Sequence, residues 1–148
     1  MGARLATGVA FALCWLWPFS AGAQTVVTVC GAASGYSFYL NPSDGWQRDG
    51  ISQGTVTILR NGNDFDLIIK DAWATFSARG DEATVVRIYG DTDREMTLVA
   101  IYPLGSTEVY QLTLDANGRG KLIWATTKNG FGPLIKTKGS LFVADCAR

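Results

Sequence analysis

Thr55-Val56-Thr57-Ile58-Leu59, then Asn61-Gly62-Asn63, then Phe65-Asp66-Leu67-Ile68-Ile69: this stretch decides the fold. Hydroxyl and aliphatic residues alternate in the first run, the period of an extended strand with one buried face. Asn61-Gly62-Asn63 supplies residue types that tolerate a positive φ, so it turns the chain back. The second run is apolar and β-branched, and the pair reads as a hairpin.

The same punctuation recurs downstream. Trp73 to Ala78 is followed by Gly80-Asp81-Glu82, and Thr84 to Tyr89 by Gly90-Asp91-Thr92-Asp93. Met96 to Tyr102 ends at Pro103 and Gly105, and Thr107 to Leu114 ends at Asp115-Ala116-Asn117-Gly118. Lys121 to Thr127 then runs into Asn129-Gly130-Phe131-Gly132-Pro133, and a last run from about Leu134 to Cys146 reads as one bent strand or two, with Gly139 at the break. Short strands at intervals of about ten residues predict one all-β domain over residues 24–148. No segment sustains a 3.6-residue apolar period over three turns, so helices should be few, with the N-terminal leader the one strong candidate. Hairpin-length connections favour an antiparallel, barrel-like meander, with a β-sandwich as the alternative.

Upstream the pattern weakens. Thr25 to Cys30 is followed by glycine and aromatic residues: Gly31, Gly35, Tyr36, Phe38, Tyr39, Gly45 and Trp46, ending at Asp49-Gly50-Ile51. The expectation here is an irregular loop region with a specific role. Tyr36, Tyr39 and Trp46 are the candidate binding residues, because loop aromatics form contact surfaces. Trp73, Trp124, Tyr102 and Tyr110 fall on expected strands and are read as core.

Residues 1–23 read as a cleavable signal peptide. Arg4 gives a positive start, Val9 to Trp17 is nearly all apolar, and Ala21-Gly22-Ala23 is a small-residue exit. The apolar centre is shorter than the ~20 residues of a membrane span and ends at Pro18. Cys14 leaves with the leader. A periplasmic or secreted location follows, and in an oxidising compartment Cys30 and Cys146 are expected to form a disulfide. No membrane anchor is expected after cleavage.

Composition excludes several functions. There is no histidine, which removes His-dependent nucleophile systems, a His base and His-containing zinc sites. Losing Arg4 with the leader leaves 12 basic and 13 acidic residues, dispersed along the chain, so no nucleic-acid footprint is expected. No phosphate-cradling or dinucleotide glycine pattern occurs. Asp64 with Asp66, and Asp91 with Asp93, sit beside turn signals and read as turn caps rather than a hydrolytic pair. Asp115 to Gly120 starts like a calcium loop but has Arg119 at the fifth position and no closing Glu. No cofactor or metal is expected.

The layout Cys30, Gly35-Tyr36-x-x-Tyr39, Gly45-Trp46, Asp49-Gly50-Ile51 and Cys146 resembles small exported bacterial proteins of unassigned function. A fainter likeness is to periplasmic inhibitors of C-type lysozyme, small disulfide-closed barrels with a Ser-Gly-x-x-Tyr loop. Ser77-Ala78-Arg79-Gly80 lacks the Gly and Tyr of that motif, so no residue role carries over. The sequence therefore points to an exported, non-catalytic binding module for a protein or small ligand. A barrel carrying an apolar ligand, and a carboxylate-dependent hydrolase, are the alternatives.

Overall fold

The structure is a computed structural model, and it describes residues 24–40, 45–129 and 137–147. The leader expected over 1–23 lies outside the described residues. What is described is all-β and antiparallel, curled into a half-barrel. The strands are β1 (Thr25–Cys30), β2 (Ser34–Tyr39), β3 (Gly45–Gly50), β4 (Thr55–Asn61), β5 (Asp64–Lys70) and β6 (Thr75–Ser77). They continue as β7 (Thr84–Tyr89), β8 (Glu95–Ile101), β9 (Thr107–Leu114), β10 (Gly120–Lys128) and β11 (Lys138–Ala147).

The sheet order is β6-β5-β4-β1-β11-β10-β9-β8-β7, with β2 on β11 and β3 on β2. The meander therefore closes first strand onto last, and its open seam falls mid-chain, between β5–β6 and β7. One edge of β11 carries both β1 and β2. Cys30 is opposite Cys146, Gly31 N donates to Asp145 O at 2.7 Å, and Ser34 is opposite Val143. β1 and β2 thus act as one long strand with a bend at residues 31–33. Gly35 lets β2 lie close, since a Cβ there would sit 1.9 Å from Leu141 O. Cys30 and Cys146 are disulfide-bonded, as expected.

The turns form for local reasons. In the β9–β10 hairpin, Asp115 Oδ1 accepts the N–H groups of Asn117 (2.8 Å) and Arg119 (3.0 Å). Gly118 adopts φ +77°, the left-handed step that returns the chain. The calcium-loop alternative at this segment is thus a capped hairpin turn. Across the seam, Arg60 of β4 pairs with Asp93 at 2.8 Å, and the Arg87 guanidinium lies 5.4 Å from the Phe65 ring centroid.

The concave side of the sheet is filled. Leu98, Tyr110, Leu112, Leu122, Trp124 and Phe142 are all buried there, with Tyr110 stacked on Trp124 at 5.6 Å. Two expectations need correction, and one alternative is decided. Trp73 is not on a strand or in the core; it stands 96% exposed on the β5–β6 connection. The described part of the last run is one strand, β11, continuous through Gly139. The glycine-aromatic region is not an irregular loop but the regular β2–β3 hairpin; its tip, residues 41–44, lies outside the described residues.

Candidate functional site

The β2–β3 hairpin reverses the usual alternation. Ser37 and Asp49 face the core, while Tyr36, Phe38 and Trp46 face outward. Ser37 is fully buried, and Asp49 is largely covered beside it. On the opposite face stand Tyr36 (53% exposed), Phe38 and Trp46 (69% exposed). The period of two explains the split: residues of one parity on β2 share a face. The register extends that outward face across neighbouring strands. Phe38 is opposite Trp46, and the two rings meet edge to face at 5.4 Å. Tyr36 is opposite Leu141, which is opposite Ala125. Val143 and Ile123 form the next opposed pair. Leu141 is 53% exposed, and Val143 and Ile123 are also open. The result is an apolar surface on the outer side of β2, β3, β11 and β10.

The three sequence candidates are therefore divided. Tyr36 and Trp46 lie together on this outer face. Tyr39 has the other parity and joins the inner side, where its hydroxyl donates to Asp49 Oδ2 at 3.2 Å. Lys138 Nζ lies 5.3 Å from the Tyr39 ring centroid. Phe38, read from sequence only as part of the aromatic-rich region, and Leu141, which no sequence feature singled out, also belong to the outer surface.

The inner side of the same strands holds a buried polar row. Glu108, Thr126, Ser140 and Ser37 are successive cross-strand neighbours on β9, β10, β11 and β2, and all four are buried. Glu108 accepts hydrogen bonds from the hydroxyls of Tyr110, Tyr102 (3.2 Å) and Thr126 (3.4 Å), and Lys128 Nζ lies 3.6 Å away. Ser37 Oγ shares a 2.6 Å hydrogen bond with Ser140 Oγ and donates to Asp49 Oδ2 at 2.6 Å. Lys138 Nζ, 2.6 Å from Asp49 Oδ2, completes the row. Lys128 and Lys138 stand directly opposite each other on β10 and β11. That like-charge opposition is offset because each ammonium has its own carboxylate.

These groups hold one another. Burial, then the charge and hydrogen bond of Glu108, raise the Tyr102 and Tyr110 phenols well above their ordinary value, so both stay protonated donors. Burial pushes the Asp49 carboxyl up, but the hydrogen bonds from Lys138, Ser37 and the Gly50 amide outweigh it and bring the pKa down to about 2. A serine nucleophile activated by lysine needs a neutral amine. Here the amine nearest Ser37 and Ser140 is ion-paired to an ionised carboxylate. Trp124 Nε1, beneath the row, is buried without a hydrogen-bond partner among the described residues.

Asp49 makes the fold acid-sensitive in a defined window. Its folded pKa lies below the ordinary value of 3.8. Its contribution is thus complete above that value and lost as pH falls through about 2. Denaturant unfolding at decreasing pH is expected to show a loss of at most about 2 kcal/mol from this group. Asp49→Asn should abolish that component of the acid dependence.

Asp64, Asp66 and Asp71 hold local structure. Asp66 accepts from Ser77 Oγ (2.8 Å) and the Arg79 amide (3.0 Å), and Asp64 pairs with Arg79 at 3.2 Å. Asp64, Asp66 and Arg79 line a shallow depression of about 110 Å³ with Gln24, Asn61 and Phe65. Asp71 Oδ1 accepts the amides of Trp73 (2.7 Å) and Ala74 (2.8 Å), which hold the exposed Trp73 and lower the Asp71 pKa. No group of three or more metal-ligating side chains converges among the described residues. Comparison with protein-family models, curated proteins and solved structures returned no match.

Proposed function

We propose that this chain is an exported binding module that seats a partner's apolar surface on the outer face of β2, β3 and β11. One observation carries the reading: the hairpin is built inside out. Burying Ser37 and Asp49 while exposing Tyr36, Phe38, Trp46 and Leu141 forgoes the hydrophobic gain of the opposite arrangement. Contiguous exposed apolar surface rimmed by polar groups is the usual mark of an interaction site. Aromatic residues at its centre are the type that carries binding energy. The disulfide supports export, since such bridges persist outside reducing compartments. The filled concave side and the mutually paired inner polar groups favour surface binding over carriage or hydrolysis.

The test uses protein made with its own leader and recovered from the periplasm or medium, its mass first showing a chain that starts at Gln24. Immobilised, it is expected to capture a partner from the same compartment. Replacing Tyr36 and Trp46 together by alanine should weaken capture about 30-fold or more, as loss of a contact hot spot does. Tyr39→Phe should leave capture unchanged. Capture that survives the double replacement, or a mature chain that is never exported, would overturn the reading.

A further inference from the structure

The outer edge of β3 matches a second copy of itself. Among the described residues β3 pairs only with β2, so its other edge carries no strand. The direction of its backbone groups follows from one bond. Ile51 N donates to Ala33 O at 2.9 Å, one step beyond the opposed pair Ser34 and Gly50. In an antiparallel ladder the residues that bond to the partner alternate. Gly45, Gln47, Asp49 and Ile51 therefore turn their N–H and C=O toward β2. Trp46, Arg48 and Gly50 turn theirs to the open edge. The Gly50 N–H is taken by Asp49 Oδ1 at 2.8 Å. That leaves Trp46 and Arg48 with two donors and two acceptors facing outward.

From this geometry we infer that the chain self-associates by antiparallel β3–β3 pairing about a two-fold axis at Gln47. In that register Trp46 of each copy is opposite Arg48 of the other. Those are the residues with outward backbone groups, so four hydrogen bonds form and no outward group of either residue is left over. The two side chains share the outer face, so each indole meets the other copy's guanidinium, a cation–π arrangement made twice. The neighbouring face-preserving register, centred on Arg48, sets arginine against arginine and is disfavoured. Pairing at Gln47 also joins the two outer apolar faces into one surface. The inference does not require that surface to bind anything further. It goes beyond the proposed function.

The register makes the test sharp. Gln47 is the self-opposed position, in a pair without hydrogen bonds between its members, where Cα atoms lie about 4.5 Å apart. Gln47→Cys is expected to give a disulfide-linked dimer under mild oxidation, and Arg48→Cys to give little. Sedimentation of the unlinked, disulfide-closed chain at increasing concentration should show a monomer–dimer equilibrium. Arg48→Pro removes one outward N–H per copy without touching the β2 ladder. It should weaken dimerisation about 10-fold or more, from the two hydrogen bonds it deletes. Tyr36→Ser with Leu141→Ser should leave the dimer in place. A chain monomeric at every accessible concentration, a dimer indifferent to Arg48→Pro, or one dissolved by the outer-face pair would each overturn the inference. Cross-linking that favours Arg48→Cys over Gln47→Cys would overturn the register.

Discussion

Replacing Cys30 and Cys146 together by alanine is expected to lower the free energy of unfolding by about 4–5 kcal/mol. The bridge spans a sequence separation of 116 residues. Closing a loop that long removes roughly that much conformational freedom from the unfolded chain. Its position adds to the effect. Among the described residues the β1–β11 ladder has two register pairs, Val29 with Ala147 and Cys30 with Cys146. β1 in turn carries β4 along its other edge. Without the bridge, the β4–β5–β6 side of the sheet is tied to β11 by that short ladder and by the bend into β2. Urea unfolding of the double variant should show a midpoint lowered by about 2–5 M, at a slope of about 1–2 kcal/mol per molar. A loss below about 1 kcal/mol would mean that the native bridge is strained or that the unfolded chain stays compact.

The second large effect is expected at Glu108. Glu108→Leu leaves the Tyr102, Tyr110 and Thr126 hydroxyls without their acceptor and Lys128 without its counter-charge. Removing one partner from a buried charged network costs about 3–5 kcal/mol. Glu108→Gln keeps an acceptor oxygen in the same volume, and its cost should be smaller, about 1–2 kcal/mol. Thermal or denaturant unfolding of both variants separates the two. If the leucine variant matches the glutamine variant, the row contributes little and the aromatic layer beneath it supports the fold unaided.

The sheet was legible because most of its longer strands obey simple alternation. In β4, Val56 and Ile58 point inward between threonines, and in β5 Phe65, Leu67 and Ile69 do the same. The hairpin of β2 and β3 was misread as irregular because it obeys the period with the chemistry inverted. Ser37 is inside and Phe38 outside, which looks like no pattern when apolar residues are assumed to be buried. The same inversion separated Tyr39 from Tyr36 and Trp46. Parity alone would have shown that residues 36 and 39 cannot share a face. Parity also marks Glu108, which keeps step with Tyr110, Leu112 and Leu114 on β9. What no single strand discloses is that Glu108, Thr126, Ser140 and Ser37 line up. Their row is set by register between four strands, and register is a property of the assembled sheet. Trp73 was placed in the core by residue type, but Asp71 fixes it at the tip of a turn where no second layer covers it.

The joining of Cys30 to Cys146 also governs how this molecule responds to force. β1 and β11 run antiparallel, so tension applied to the chain on the outer sides of the two cysteines would unzip the pair from one end. It would open the Val29–Ala147 step, peel residues 25–29 of β1 from β4, and then meet the covalent link. Once that link is taut, the residues from Gly31 to Asp145 lie inside it and carry none of the load. A pull that would peel an unbridged meander strand by strand is here short-circuited through two sulfur atoms, and the sheet behind them stays slack.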